Sequence, residues 1–252
     1  MNFKSLIAVL LALIYFIILE LANYYGAGVL WLGPLSLFFG VFCLFFLRRF
    51  FLKEKDENES IFFLSPFLFF LGVIFIFVFL DRSFFRQILI FSSAWLFFIY
   101  FFYAIKFLIS KESYARENLL VLREIFPALS FFFLTSGFFG WLVFLNKIFW
   151  VFFLLVILIS FLTAREIFNA GKIKKIAPNL LISLLAGEFF WSLYFLPIGF
   201  LSRSFILTVV WLALIKLSIE FLQEKKSVKR IGFISFFSLF LIILALLISR
   251  WI

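Results

Sequence analysis

The sequence predicts an all-α, polytopic integral membrane bundle of about nine transmembrane helices, with the N-terminus inside and the C-terminus outside. Three observations predict it. Of the 252 residues, 66% are hydrophobic and only 14% are charged, against roughly 45–50% and about 25% in soluble domains. Apolar runs long enough to cross a bilayer follow one another down the chain. Lysine and arginine collect in every second gap between those runs. A soluble fold cannot hide so much apolar surface, because large exposed patches promote association. Lipid removes that problem.

A span needs roughly 20 apolar residues to cross about 30 Å of hydrocarbon. Nine segments meet this: 5–24, 29–47, 61–80, 88–109, 126–145, 148–163, 178–200, 204–221 and 231–250. Backbone groups in lipid must bond within their own segment, so the segments are helices. They lack the polar alternation of a membrane barrel. Together they make residues 1–252 a single transmembrane domain with no soluble domain.

In the first span, Lys4 precedes a long apolar run and the second run follows almost at once, which reads as a signal-anchor rather than a cleaved signal. Tyr24, Tyr25 and Trp31 gather where these two spans meet, and Trp150 and Trp251 mark other outer ends, a depth that amphipathic rings favour. Gly33-Pro34 kinks the second span. The mixed-sign run from Lys53 to Glu59 reads as a solvated loop. Pro66, Pro127 and Pro178 open the third, fifth and seventh spans, where a missing N–H has no partner. Between the fourth and fifth spans, Ala115, Leu119, Leu122 and Phe126 repeat at helical spacing. This predicts a short amphipathic helix on the inner membrane surface. The turn at Asn146-Lys147 is so tight that the fifth span and the short sixth are expected to form a close hairpin. Three hairpins result, 61–109, 126–163 and 178–221, preceded by one hairpin and closed by a single helix. Ser92-Ser93 and Thr135-Ser136-Gly137 are small-residue patches that permit close helix approach.

The cations set the orientation. Lys4, Arg48, Arg49, Lys53, Lys55, Lys111, Arg116, Arg123, Arg165, Lys172, Lys174, Lys175, Lys225, Lys226, Lys229 and Arg230 share one side. Only Arg82, Arg86, Lys147, Arg203 and Arg250 share the other. Positive charge stays inside, so the larger set is cytoplasmic. The net charge of +10 therefore faces anionic lipid headgroups and any protein docking on the inner loops. It does not indicate nucleic acid.

The absences narrow the chemistry. The chain has no histidine and one cysteine, Cys43. That removes His-held haem, zinc-protease motifs, Ser-His-Asp triads, thiolate clusters and an internal disulfide. No P-loop pattern occurs. No cofactor, metal site or catalytic residue is expected, and the chain leans away from being an enzyme.

Ionisable residues within spans carry what functional signal remains, because they are costly in lipid and usually face a bundle interior. Glu188 leads. It lies about ten residues from either end of the seventh span, near the midplane, with Asn179 and Ser183 before it and Ser192 one turn beyond. It reads either as a coupling or binding carboxyl or as a structural one bonded between helices. Lys216 and Glu220 are one turn apart on the eighth span, placed to pair with each other. Alternatively, Lys216 reaches Glu188 on the adjacent helix. Glu20, Asn23, Asp81, Arg82 and Arg86 cluster at outer span ends, as solvated ends or the mouth of a pocket. A small transporter, permease or flippase-like component using Glu188 is the leading expectation. A non-catalytic membrane scaffold or assembly subunit is the alternative, followed by an intramembrane enzyme acting on a lipid or polyprenyl substrate. The compact loops and clear charge bias suggest a prokaryotic plasma membrane.

Overall fold

The computed structural model describes residues 3–25, 64–80, 83–110, 113–145, 147–171, 173, 175–222 and 228–249. Among them there are eight helices and no strand: α1 (Phe3–Tyr25), α2 (Leu64–Phe77), α3 (Ser83–Ser110), α4 (Ser113–Leu145), α5 (Phe149–Ala170), α6 (Ala177–Tyr194), α7 (Phe200–Leu222) and α8 (Val228–Ile248). Five contain a stretch long and apolar enough to cross a membrane: Ser83–Lys106, Asn118–Leu145, Phe149–Asn169, Phe200–Leu222 and Val228–Ile248. Shorter apolar helices cover Ala8–Leu21 and Leu64–Phe77. The architecture is that of a helical membrane bundle. The second predicted span, 29–47, lies outside the described residues, with Trp31 and Cys43; so do Asp81, Arg82 and Trp251.

Several boundaries differ from the sequence expectation. The amphipathic segment and the fifth span are one continuous helix, with Pro127 inside it rather than in its first turn. The stripe Leu119, Leu122 and Phe126 is buried, while Leu120, Val121 and Ile125 are exposed. The stripe therefore meets protein, not a membrane surface. The sixth span is not short. Its buried row of Val156, Ile159, Thr163 and Ile167 carries the helix on to Ala170. The seventh ends at Tyr194, because Pro197 cannot donate and disfavours helical backbone at Leu196. Pro66 and Pro178 do lie in first turns.

The chain divides into two compact units, Met1–Phe126 and Pro127–Ile252. In the first, α1 packs mainly along α3, and α2 packs on α3 as well. Ala8, Leu11, Tyr15, Ile18 and Leu19 form the buried row of α1. Tyr15 stacks on Phe97 of α3 at 4.8 Å and tilts against Phe70 of α2 at 5.0 Å. Phe126 meets Phe69 at 5.1 Å and Tyr100 at 4.7 Å. Gln87 Nε2 donates to Glu20 at 3.3 Å, tying α1 to α3. Arg86 donates to the Leu80 carbonyl and lies 5.4 Å over the Phe77 ring. These two contacts fold that predicted outer charge back onto the end of α2.

In the second unit, α5 packs most extensively on α6, with α7 against α6 and α8 against α7. The close partner of α5 is thus α6 rather than α4, although the rings of Phe138 on α4 and Phe152 on α5 do meet at 5.3 Å. The centre of the unit is Trp211 on α7. It is fully buried, stacks on Phe131 of α4 at 4.5 Å, and donates its indole N–H to Ser160 Oγ of α5 at 2.9 Å. Lipid tails are as apolar as the side chains, so helix association here rests on packing and interhelical hydrogen bonds. One residue supplies both to three helices.

Ser160→Ala is expected to destabilise the folded state by about 1–3 kcal/mol, because it orphans a buried indole N–H. Trp211→Phe should make the Ser160→Ala change nearly neutral. Reversible unfolding in mixed micelles, run as a double-mutant cycle, checks the coupling.

Candidate functional site

α6 has two unlike faces. Asn179, Ile182, Ser183, Ala186, Gly187, Phe190 and Leu193 are buried. Leu181, Leu184, Glu188, Trp191, Ser192 and Phe195 are exposed. Both rows follow the helical repeat, so rotating α6 by half a turn would exchange them.

The inner face is a packing surface. Asn179 Nδ2 donates to the Phe161 carbonyl of α5 at 3.1 Å, an acceptor with a spare lone pair. Ser183 Oγ donates to the Asn179 carbonyl one turn back at 2.7 Å. At Gly187 the helices approach so closely that an added Cβ would lie 2.8 Å from Ile157 Cγ1 and 3.3 Å from Phe153. Beyond it, Phe190 meets Phe139 of α4 at 4.4 Å and Phe149 of α5 at 5.8 Å. Asn179, a candidate binding residue by sequence, is therefore placed as an interhelical clip. Its Oδ1 is buried and has no hydrogen-bond partner among the described residues.

Glu188 is on the other face. Its carboxylate makes no hydrogen bond or ion pair with any described residue; only its backbone carbonyl is used, accepting from Ser192 Oγ at 2.9 Å. Because α6 ends at Tyr194, Glu188 lies about 9 Å of helix rise from that end and about 16 Å from Ala177. It is off centre but flanked by apolar residues on both sides. Helical Cα–Cβ bonds tilt towards the N-terminus, so the carboxyl starts out directed away from the nearer end of α6. A charged side chain at the centre of a membrane helix costs roughly 2.5–3.5 kcal/mol on insertion scales. In the seventh span that the sequence predicts, an outward carboxylate carries a cost of that order unless something covers it.

Lys216 and Glu220 are not a pair. Glu220 Oε1 pairs with Arg230 of α8 at 3.6 Å, so this acid links α7 to α8. Lys216 is half-buried on α7 and does not reach Glu188.

Two buried charges escaped the sequence reading. Arg203, read as an outer-loop cation, is 9% exposed. Its Nη2 donates to the Leu196 carbonyl at 2.7 Å and its guanidinium lies 5.9 Å over Phe139, clamping the turn between α6 and α7. Glu166, which lies beyond the end of the predicted sixth span, is 7% exposed. Its spacing from Ile159 and Thr163 on the same buried row was the available signal. Among the described residues no group of three or more His, Cys, Asp or Glu is placed to hold a metal ion.

No relative decides among these chemistries. No family model, curated protein or solved structure matches the chain.

Gly187→Val is expected to destabilise the bundle by about 1–3 kcal/mol through overpacking against Ile157. Ile157→Ala should recover part of that loss in the double variant. Thermal unfolding in one detergent across the four proteins checks it.

Proposed function

We propose that this chain is a non-catalytic assembly subunit of a prokaryotic plasma membrane. It spans the bilayer nine times, N-in and C-out, with no soluble domain between residues 1 and 252. The outward face of α6, centred on Glu188, packs against another membrane helix. The basic inner segments hold anionic headgroups.

One observation supports this reading above all. Glu188 stands exposed on an apolar helix face, where hydrocarbon offers no partner. A transporter or permease that couples through Glu188 needs this carboxyl turned into the bundle. A lipid-active enzyme needs a second acid beside it. The packed face of α6 instead carries Asn179, Ser183 and Gly187, which tie helices together. The topology rests on the segregation of lysine and arginine along the sequence.

Glu188→Leu is expected to leave the thermal stability of the isolated protein unchanged. It should also lower the mass of the particle that the chain forms in its own membrane. Native mass measurement after extraction in polymer-bounded nanodiscs reads this. An unchanged mass for the Leu variant would sink the assembly role. The topology has its own test. In a Cys43→Ser background, a cysteine at Lys147 should react with an impermeant thiol reagent from outside, and one at Lys55 only after the membrane is opened. The reverse pattern refutes N-in.

A further inference from the structure

We infer that the outward face of α6 receives a transmembrane helix of another protein that presents a lysine or arginine at the depth of Glu188, an inference that rests on the assembly role proposed above. The face has the form of a helix-docking strip. Leu181 and Leu184 lie on one side of Glu188 along the helix, Trp191 and Phe195 on the other, at one-turn spacings. At its middle is a carboxylate with no counter-charge among the described residues. Among the cations of Pro127–Ile252, Arg203 is engaged with the Leu196 carbonyl and the Phe139 ring, and Arg230 with Glu220.

The chemistry of the missing partner follows from what Glu188 can accept. Lipid tails have no donor. A second copy docked on the same face by two-fold symmetry brings a second carboxylate towards the first, and like charges at short range oppose each other. A basic side chain neutralises the carboxylate and hydrogen-bonds to it at once. Ser192 adds to the match. Its own proton goes to the Glu188 carbonyl, so its oxygen remains free to accept from a lysine or arginine one turn away.

The experiment uses the full chain in phosphatidylcholine vesicles. The probe is a synthetic Leu/Ala helix of about 24 residues with one Lys at the depth of Glu188, compared with the same helix bearing Leu or Glu there. Association is read by energy transfer. The Lys helix is expected to bind about three- to tenfold more tightly than the Leu helix, the range of an interhelical polar contact. Glu188→Gln should abolish that difference. Glu188→Lys should transfer the preference to the Glu helix, which guards against a variant that merely misfolds. Equal binding of the Lys and Leu helices to the native chain overturns the inference, and so does a preference that survives Glu188→Gln. Either result leaves the mass test of the assembly role standing separately. Leu184→Cys distinguishes the other occupants. A disulfide between two copies in a Cys43→Ser background overturns the basic partner while keeping assembly. An internal disulfide to the native Cys43 overturns both, because segment 29–47 would then cover the face.

Discussion

The absence of water in the hydrocarbon core is the constraint on which everything else here depends. Each polar atom at membrane depth must find its partner within the protein. The hydroxyls meet that demand locally. Thr135, Ser136, Thr163, Ser183, Ser204 and Thr208 all donate to carbonyls one turn back on their own helices. Such bonds satisfy the side chain without holding one helix to another. Interhelical cohesion therefore falls to a small number of longer polar side chains and to ring packing. In the Pro127–Ile252 unit they include Trp211 to Ser160, Asn179 to Phe161, the Arg203 clamp and the Arg230–Glu220 pair.

The same constraint gives Glu188 its meaning. Asn179 and Glu188 are both polar and both on α6. Asn179 points to α5 and is bonded; Glu188 points outward and is not. A carboxylate on an otherwise apolar exposed surface is a demand for a partner, whereas the leucines around it are content with lipid. α8 shows the contrast. Nothing along Val228–Ile248 is buried, and its exposed residues are almost wholly apolar, so it needs lipid and no more. Its tie to the unit is packing on α7, with the Arg230–Glu220 pair at its start.

The described helices were largely legible in the sequence because length and hydropathy are local properties. The ends were less so. Pro127 reads as a helix start, yet α4 runs through it; a proline removes one hydrogen bond, and the helix continues where flanking residues are packed, as Phe126 and Phe131 are. Pro197 behaves oppositely, since Gly199 and the Arg203 clamp stabilise a turn there. Candidate residues fared unevenly for a physical reason. Helical spacing groups residues on a face but does not say what the face meets. Thus Asn179 and Glu188 could be grouped together, Glu220 assigned to Lys216 rather than Arg230, and Glu166 placed past the end of the sixth span. Trp211 gave no signal at all, because nothing local distinguishes a packing hub from an interfacial tryptophan.

By itself the sequence determined the solvent, the secondary structure and the chemistries that the chain lacks. Those follow from composition, run length and the absence of histidine, none of which depends on neighbours distant in the chain. Only the tertiary structure decided which side of each helix is inside. Gly187 turns one face of α6 against Ile157, and that contact sends Glu188 to the other. In lipid the hydrophobic effect does not choose between two apolar faces, so the choice belongs to close packing and a few hydrogen bonds between residues far apart in sequence.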